Sequence, residues 1–141
     1  MTESKNKDHR RIGIRSLMVW FILIGAEIVH GILRAILLVP LVGEFRSNQI
    51  GVFSGSAIIL LIAYLTIRWI GAKRNSALLT VGFIWLMLTV AFEVLFGRFV
   101  VGLTWERLAA GYNIIEGGLM PFGLLLLLFS PMIAANLQRK R

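Results

Sequence analysis

Long apolar runs separated by short polar connections set the pattern of this chain. Predominantly hydrophobic stretches fall at residues 17–42, 50–70, 77–96 and 114–135. Each is long enough to cross the hydrocarbon of a bilayer, which takes about 20 residues of helix. Backbone N–H and C=O groups find no water there, so such stretches close their hydrogen bonds internally and become helices. The pattern predicts an all-α polytopic membrane protein, an antiparallel bundle of four transmembrane helices. A basic arm (1–16) precedes the transmembrane domain (17–136), and a basic tail (137–141) follows it. The first stretch has 26 residues. At about 1.5 Å per residue it exceeds a hydrocarbon thickness of about 30 Å, which predicts tilt. It is also much longer than the 7 to 15 apolar residues, roughly, of a signal peptide, and no small-x-small cleavage site follows it. Short connections between the first and second helices, and between the second and third, predict that these neighbours pack antiparallel.

Two segments depart from simple spans. Residues 104–112 place Trp105, Leu108, Ala109 and Tyr112 at i, i+3, i+4 and i+7, with Thr104 positioned to cap and Glu106 in the first turn. This predicts a short amphipathic helix at the membrane interface before the last span, able to act as an anchor or as a lid. At the start of the fourth stretch, Gly117, Gly118, Pro121 and Gly123 crowd into a few residues. This reads either as a broken helix lining a cavity or as a helix that begins late with Pro121 in its first turn.

Composition strengthens the membrane reading. Of 141 residues, 57% are hydrophobic and 16% charged, against about 25% charged in a soluble domain. The net charge of +8 could suit nucleic acid, but the long uncharged runs do not. There is no cysteine, which excludes thiol–disulfide chemistry and Cys-ligated metal centres. Eleven of the 15 Lys and Arg residues lie in the N-terminal arm, the second connection and the tail. The opposite side carries Arg46, Arg98 and Arg107, with Arg34 inside a span. The positive-inside rule therefore predicts both termini in the cytoplasm of a cell inner membrane. The basic ends are expected to meet anionic lipid headgroups.

The candidate chemistry lies in ionisable residues within the apolar spans. Glu27, His30 and Arg34 stand at i, i+3 and i+7 of the first helix, within about 60° of one face. A charge there costs about 2.5 to 3.5 kcal/mol on insertion scales, so each needs a partner or a function. Topology puts Glu93 of the third helix and Glu116, at the head of the fourth, at a similar outer-leaflet depth. Ser54, Thr89 and Asn113 are candidate supporting groups. This asymmetry predicts a cavity open to the periplasmic side. Gly51 and Gly55 form a GxxxG spacing in the second helix, read as internal packing rather than homodimerisation. Trp20 and Trp69 read as anchors at the inner interface, and Trp85 as a packing residue.

Three glutamates against one arginine leave about −2 if all ionise, a set that holds a shared, exchangeable proton. No metal is expected: Glu27 and His30 form one Glu-x-x-His, but a di-metal bundle site needs a second, and Arg34 on the same face repels cations. A bis-His haem needs two membrane-depth histidines, and only His30 qualifies. No cofactor is expected. The metalloprotease, nucleophile-elbow and phosphate-loop motifs are missing, and no motif demands an enzyme using Glu and His as acid and base. The sequence leads instead to a small membrane protein that binds, and in a stronger version transports, a small polar or cationic solute or protons, with little room for alternating access unless it forms a homo-oligomer. The alternative is a noncatalytic accessory subunit of a larger membrane complex, with the cluster as glue.

Overall fold

The computed structural model describes residues 2–110, 112–115 and 117–140. These residues form helices and connecting turns, without a strand. Helix α1 (Thr2–Leu33) continues through a π-helical stretch, Arg34–Leu38, into α2 (Val39–Val42). Gly43 alone separates α2 from α3 (Glu44–Ile70). Then come α4 (Asn75–Leu95), extended by a second π-helical stretch at Phe96–Val101, the short α5 (Trp105–Ala110), and α6 (Met120–Arg139). Among the described residues, four helical segments are long and apolar enough to cross a membrane: Asn6–Val42, Glu44–Ile70, Asn75–Val101 and Met120–Arg139.

Local sequence explains the breaks. Gly43 (φ 89°) and Gly71 (φ 84°) adopt backbone conformations open to glycine, and each reverses the chain within a few residues. Pro40 has no N–H, and its ring collides with the carbonyl four residues back, Ile36. The π-helical stretch that includes Ile36 widens the helix there. Within α6, Pro131 likewise strips Leu127 of its helical donor, and Ser130 Oγ replaces it at 2.7 Å. Pro121 sits in the first turn of α6, where no N–H is needed. The fourth span accordingly begins at Met120 rather than near residue 114: the glycines belong to the preceding turns.

The helices form an up-down-up-down bundle with both termini at one end, marked by Arg15 donating to Trp69 O (2.5 Å), Gln138 to Tyr64 O (2.7 Å) and Arg139 to Lys73 O (2.6 Å). We call this the basic end. α1 packs on α3 and α4, and α6 packs on the same two. The sequence suggested that consecutive helices would be neighbours. α1 and α3 are, but α3 and α4 occupy opposite corners despite their four-residue link. Small residues explain the choice, because they allow backbones to approach. A Cβ at Gly82 of α4 would strike the Leu128 carbonyl of α6, whereas α3 receives α1 at Gly51 and Gly55.

The core gathers Val19 and Leu23 of α1, Ala63 and Ile67 of α3, Leu78, Val81 and Trp85 of α4, and Leu127 and Ala134 of α6. Trp85 is fully buried, and its indole donates to Ser16 O at 2.9 Å. Trp20 is buried too, so it is a core residue rather than an interface anchor. Trp69 remains half-exposed. Outward-facing Phe53, Leu65, Phe83 and Phe99 give the bundle the apolar exterior that lipid requires.

Candidate functional site

The polar stripe of α1 lies in the small-residue groove of α3. Gly55 leaves space for the Glu27 carboxylate, whose Oε2 stands 2.9 Å from where a Cβ would be. Arg34 occupies the corresponding space over Gly51, where any Cβ would collide with its guanidinium. Between them, His30 Nε2 lies 2.6 Å from Ser54 Oγ, and His30 Nδ1 lies 3.5 Å from Glu27 Oε2. Ser54 Oγ also reaches the carbonyl of Ile50 at 3.2 Å. The GxxxG spacing thus serves internal packing, and its specific cargo is a charged stripe.

The hydrogen-bond order restricts the protons. A serine hydroxyl has one hydrogen. If Ser54 gives it to Ile50, His30 Nε2–H must donate to Ser54, and the contact between Nδ1 and Glu27 is attractive only with a proton between them. If Ser54 donates to Nε2 instead, the ring hydrogen is on Nδ1, 3.5 Å from Glu27 Oε2, where it attracts a carboxylate without making a hydrogen bond. The chain Glu27–His30–Ser54 therefore has two arrangements that differ by the movement of protons along it. Glu27 Oε1 is buried and has no hydrogen-bond partner among the described residues.

Glu93 stands on the neighbouring α4, within electrostatic reach of Glu27. Its described partner is Tyr112, whose hydroxyl donates to Oε2 at 3.3 Å. Sequence reasoning gave Tyr112 only a place on an amphipathic face. Its link to Glu93 arises because the chain folds back over the end of α4. Burial and the adjacent Glu93 push the Tyr112 hydroxyl up to about 12, so it keeps its proton and remains a donor at any physiological pH. Replacing Tyr112 by Phe is expected to cost about 1 kcal/mol, the usual net worth of a part-buried hydrogen bond. Unfolding in mixed micelles checks this; a loss within error of zero would mean that water replaces the hydroxyl.

The segment over this end is held at several points. α5 is capped by Thr104 Oγ1, which accepts the Arg107 N–H at 3.2 Å. Arg107 pairs with Glu44 at the start of α3. Leu108 fills the space above Gly97, and Gln49 of α3 donates to Gly117 O at 2.8 Å.

Other candidate residues fall elsewhere. Thr89 accepts from Trp20 Nε1 at 3.0 Å, one turn below Glu93, and so serves the core. Asn113 is exposed and takes part through its backbone, accepting from Gly118 N at 2.8 Å. Glu116 lies outside the described residues. Among the described residues, Arg34 makes no ion pair with Glu27 or Glu93, and no three ligand-type side chains converge as a metal site. Recesses of about 320 and 440 Å³ open at the basic end, lined by residues such as Trp69 and Arg68 respectively. At the glutamate end, where the sequence suggested a cavity, the α1 stripe is packed into α3, because Gly51 and Gly55 let the helices close.

No family model matches this chain, and no match was found among the curated proteins or the solved structures.

Proposed function

We propose that this protein is a small integral membrane protein of the cell inner membrane, with both termini cytoplasmic, that exchanges protons or binds a small polar or cationic solute at the Glu27–His30–Ser54 chain. The observation that carries this reading is the buried Glu27 Oε1, without a partner among the described residues, on a carboxyl whose other oxygen faces a histidine. A buried acceptor normally has a donor, and a proton or a solute donor would supply it here. Arg34 on the same face and Glu93 within electrostatic reach set the charge against which that donor is held. Intramembrane carboxylate–histidine sets are the usual marks of proton and solute paths. Transport would further require a homo-oligomer or a larger assembly, since one small bundle offers few moving parts.

The test uses protein reconstituted in liposomes with an internal pH dye, and, in micelles, thermal stability against a panel of small ammonium and guanidinium compounds. Wild type is expected to show a proton flux or a ligand-dependent stabilisation that Glu27→Gln loses by at least tenfold while remaining folded. A folded Glu27→Gln protein with wild-type flux and binding would falsify the proposal.

A second reading has its own support: Gly51 and Gly55 receive Arg34 and Glu27 so closely that the cluster could serve as glue for an accessory subunit of a larger membrane complex. A stoichiometric partner co-purifying from native membranes, with no ligand effect on the isolated chain, would favour it.

A further inference from the structure

α1 does not stop where the apolar run stops. The membrane-competent helix extends over Asn6–Val42, 37 residues, against the roughly 20 that hydrocarbon requires. Its basic end therefore projects from the bilayer as helix, and the backbone positions of the cations along it are fixed. Lys7, Arg10, Arg11 and Arg15 follow i, i+3, i+4 and i+8, within one broad helix face that continues upward as Ile14 and Met18. The same residues, with Trp69 of α3, line a recess of about 320 Å³. Ser16, on the opposite side of the helix, is fully buried in the bundle, so the basic stripe faces outward.

The recess is partly pinned. Arg15 Nη1 donates to Trp69 O at 2.5 Å, and its guanidinium lies 4.9 Å from the centre of the Trp69 ring. The bond to a neutral carbonyl leaves the Arg15 charge intact. Asp8 takes up one charge by pairing with Arg11 at 3.3 Å. Four cations less one aspartate leave a local charge of about +3, beside exposed apolar Ile14 and Met18.

Depth selects the ligand. A tryptophan favours the headgroup level, which puts Arg15 there. At about 1.5 Å per residue, Arg11 lies about 6 Å and Lys7 about 12 Å further out. The headgroup layer is only some 5 to 8 Å thick on each side, and long cationic side chains bend back to reach it. Cations at phosphate level above an apolar floor match a phospholipid, with acyl chains along Ile14 and Met18 and phosphate among the arginines. The local charge exceeds what a single phosphodiester neutralises. We propose that this recess binds an anionic phospholipid whose headgroup carries two phosphodiesters, a cardiolipin-type lipid. The assignment is independent of the reading of Glu27, and it holds whichever side of the membrane the basic end occupies.

The experiment is native mass spectrometry of delipidated protein in micelles, titrated with cardiolipin, phosphatidylglycerol or phosphatidylcholine. Wild type is expected to retain cardiolipin best and phosphatidylcholine least. The exposed triple variant Lys7→Gln, Arg10→Gln, Arg11→Gln is expected to weaken cardiolipin binding on the order of 100-fold, from the usual contribution of each cation near an anionic surface. A second triple variant, Arg68→Gln, Lys73→Gln, Arg139→Gln, removes equal charge around the other recess and is expected to bind as wild type. Equal loss in both variants would reduce the effect to net charge and overturn the site. Equal retention of all three lipids, or of cardiolipin and phosphatidylglycerol, would overturn the two-phosphate assignment. Displacement of cardiolipin by millimolar inorganic phosphate or by a short DNA duplex would overturn a lipid as the occupant. Wild-type Glu27-dependent flux or binding in the first triple variant is expected, and keeps this test separate from the one at Glu27.

Discussion

Gly82→Leu is expected to separate α4 from α6 and lower stability by about 3 kcal/mol or more, the upper range for overpacking a tight contact. The reason is geometric. A Cβ at Gly82 would overlap the carbonyl of Leu128 in α6, with the Leu128 carbonyl carbon and Cα close behind at 2.8 and 3.2 Å. Backbone atoms inside a helix have no rotamer through which to retreat, so the whole helix must move. Even alanine should be costly at this position. Gly25→Ala in α1 is the control, because nothing lies within 4 Å of its Cβ position. There the change should be neutral or stabilising by up to about 1 kcal/mol, since alanine is the better helix former. Circular dichroism and detergent-denaturation midpoints of the two variants check this. A Gly82→Leu midpoint equal to wild type would mean that α4 and α6 do not touch there.

Trp85→Ala should be the largest single truncation, costing about 3 to 5 kcal/mol. Trp85 of α4 is fully buried against α1, and its indole N–H bonds to Ser16 O at 2.9 Å. In a membrane this is not the hydrophobic effect, because lipid tails solvate an apolar side chain as well as the core does. The loss comes from dispersion contacts across the cavity and from the hydrogen bond. Trp85→Phe separates the two: it keeps most of the ring and removes the donor, so it should cost about 1 kcal/mol. If Trp85→Phe were as damaging as Trp85→Ala, the hydrogen bond rather than volume would dominate.

The glutamate end illustrates how far residue spacing reaches. Helical periodicity alone puts Glu27, His30 and Arg34 on one face, and His30 does stand between Glu27 and Ser54. The match to Gly51 and Gly55 was not legible in that way. GxxxG marks a place for close approach without saying what approaches, and charged side chains are not its usual occupants. Topology puts Glu93 at the same depth, but its bond to Tyr112 depends on the return of a loop across the end of α4. Spacing alone puts Thr89 in the cluster, one turn from Glu93. In the fold it answers to Trp20, since α1 and α4 run in the same direction side by side.

By itself the sequence determined the number of membrane helices, the common end for both termini, the short helix before the last span and the polar stripe on α1. Each follows from local rules: apolar runs of spanning length, the 3.6-residue period, and the N-cap and proline preferences of helix starts. Tertiary structure alone decided which helices are neighbours, so that α3 and α4 stand apart despite their short link. It also decided that Trp20 turns inward and that the basic arm continues as ordered helix. These outcomes depend on where small residues on different helices coincide, Gly51 and Gly55 beneath α1 and Gly82 against Leu128. In lipid, where apolar faces have little reason to prefer one another, close backbone approach selects the partner, and that coincidence exists only in three dimensions.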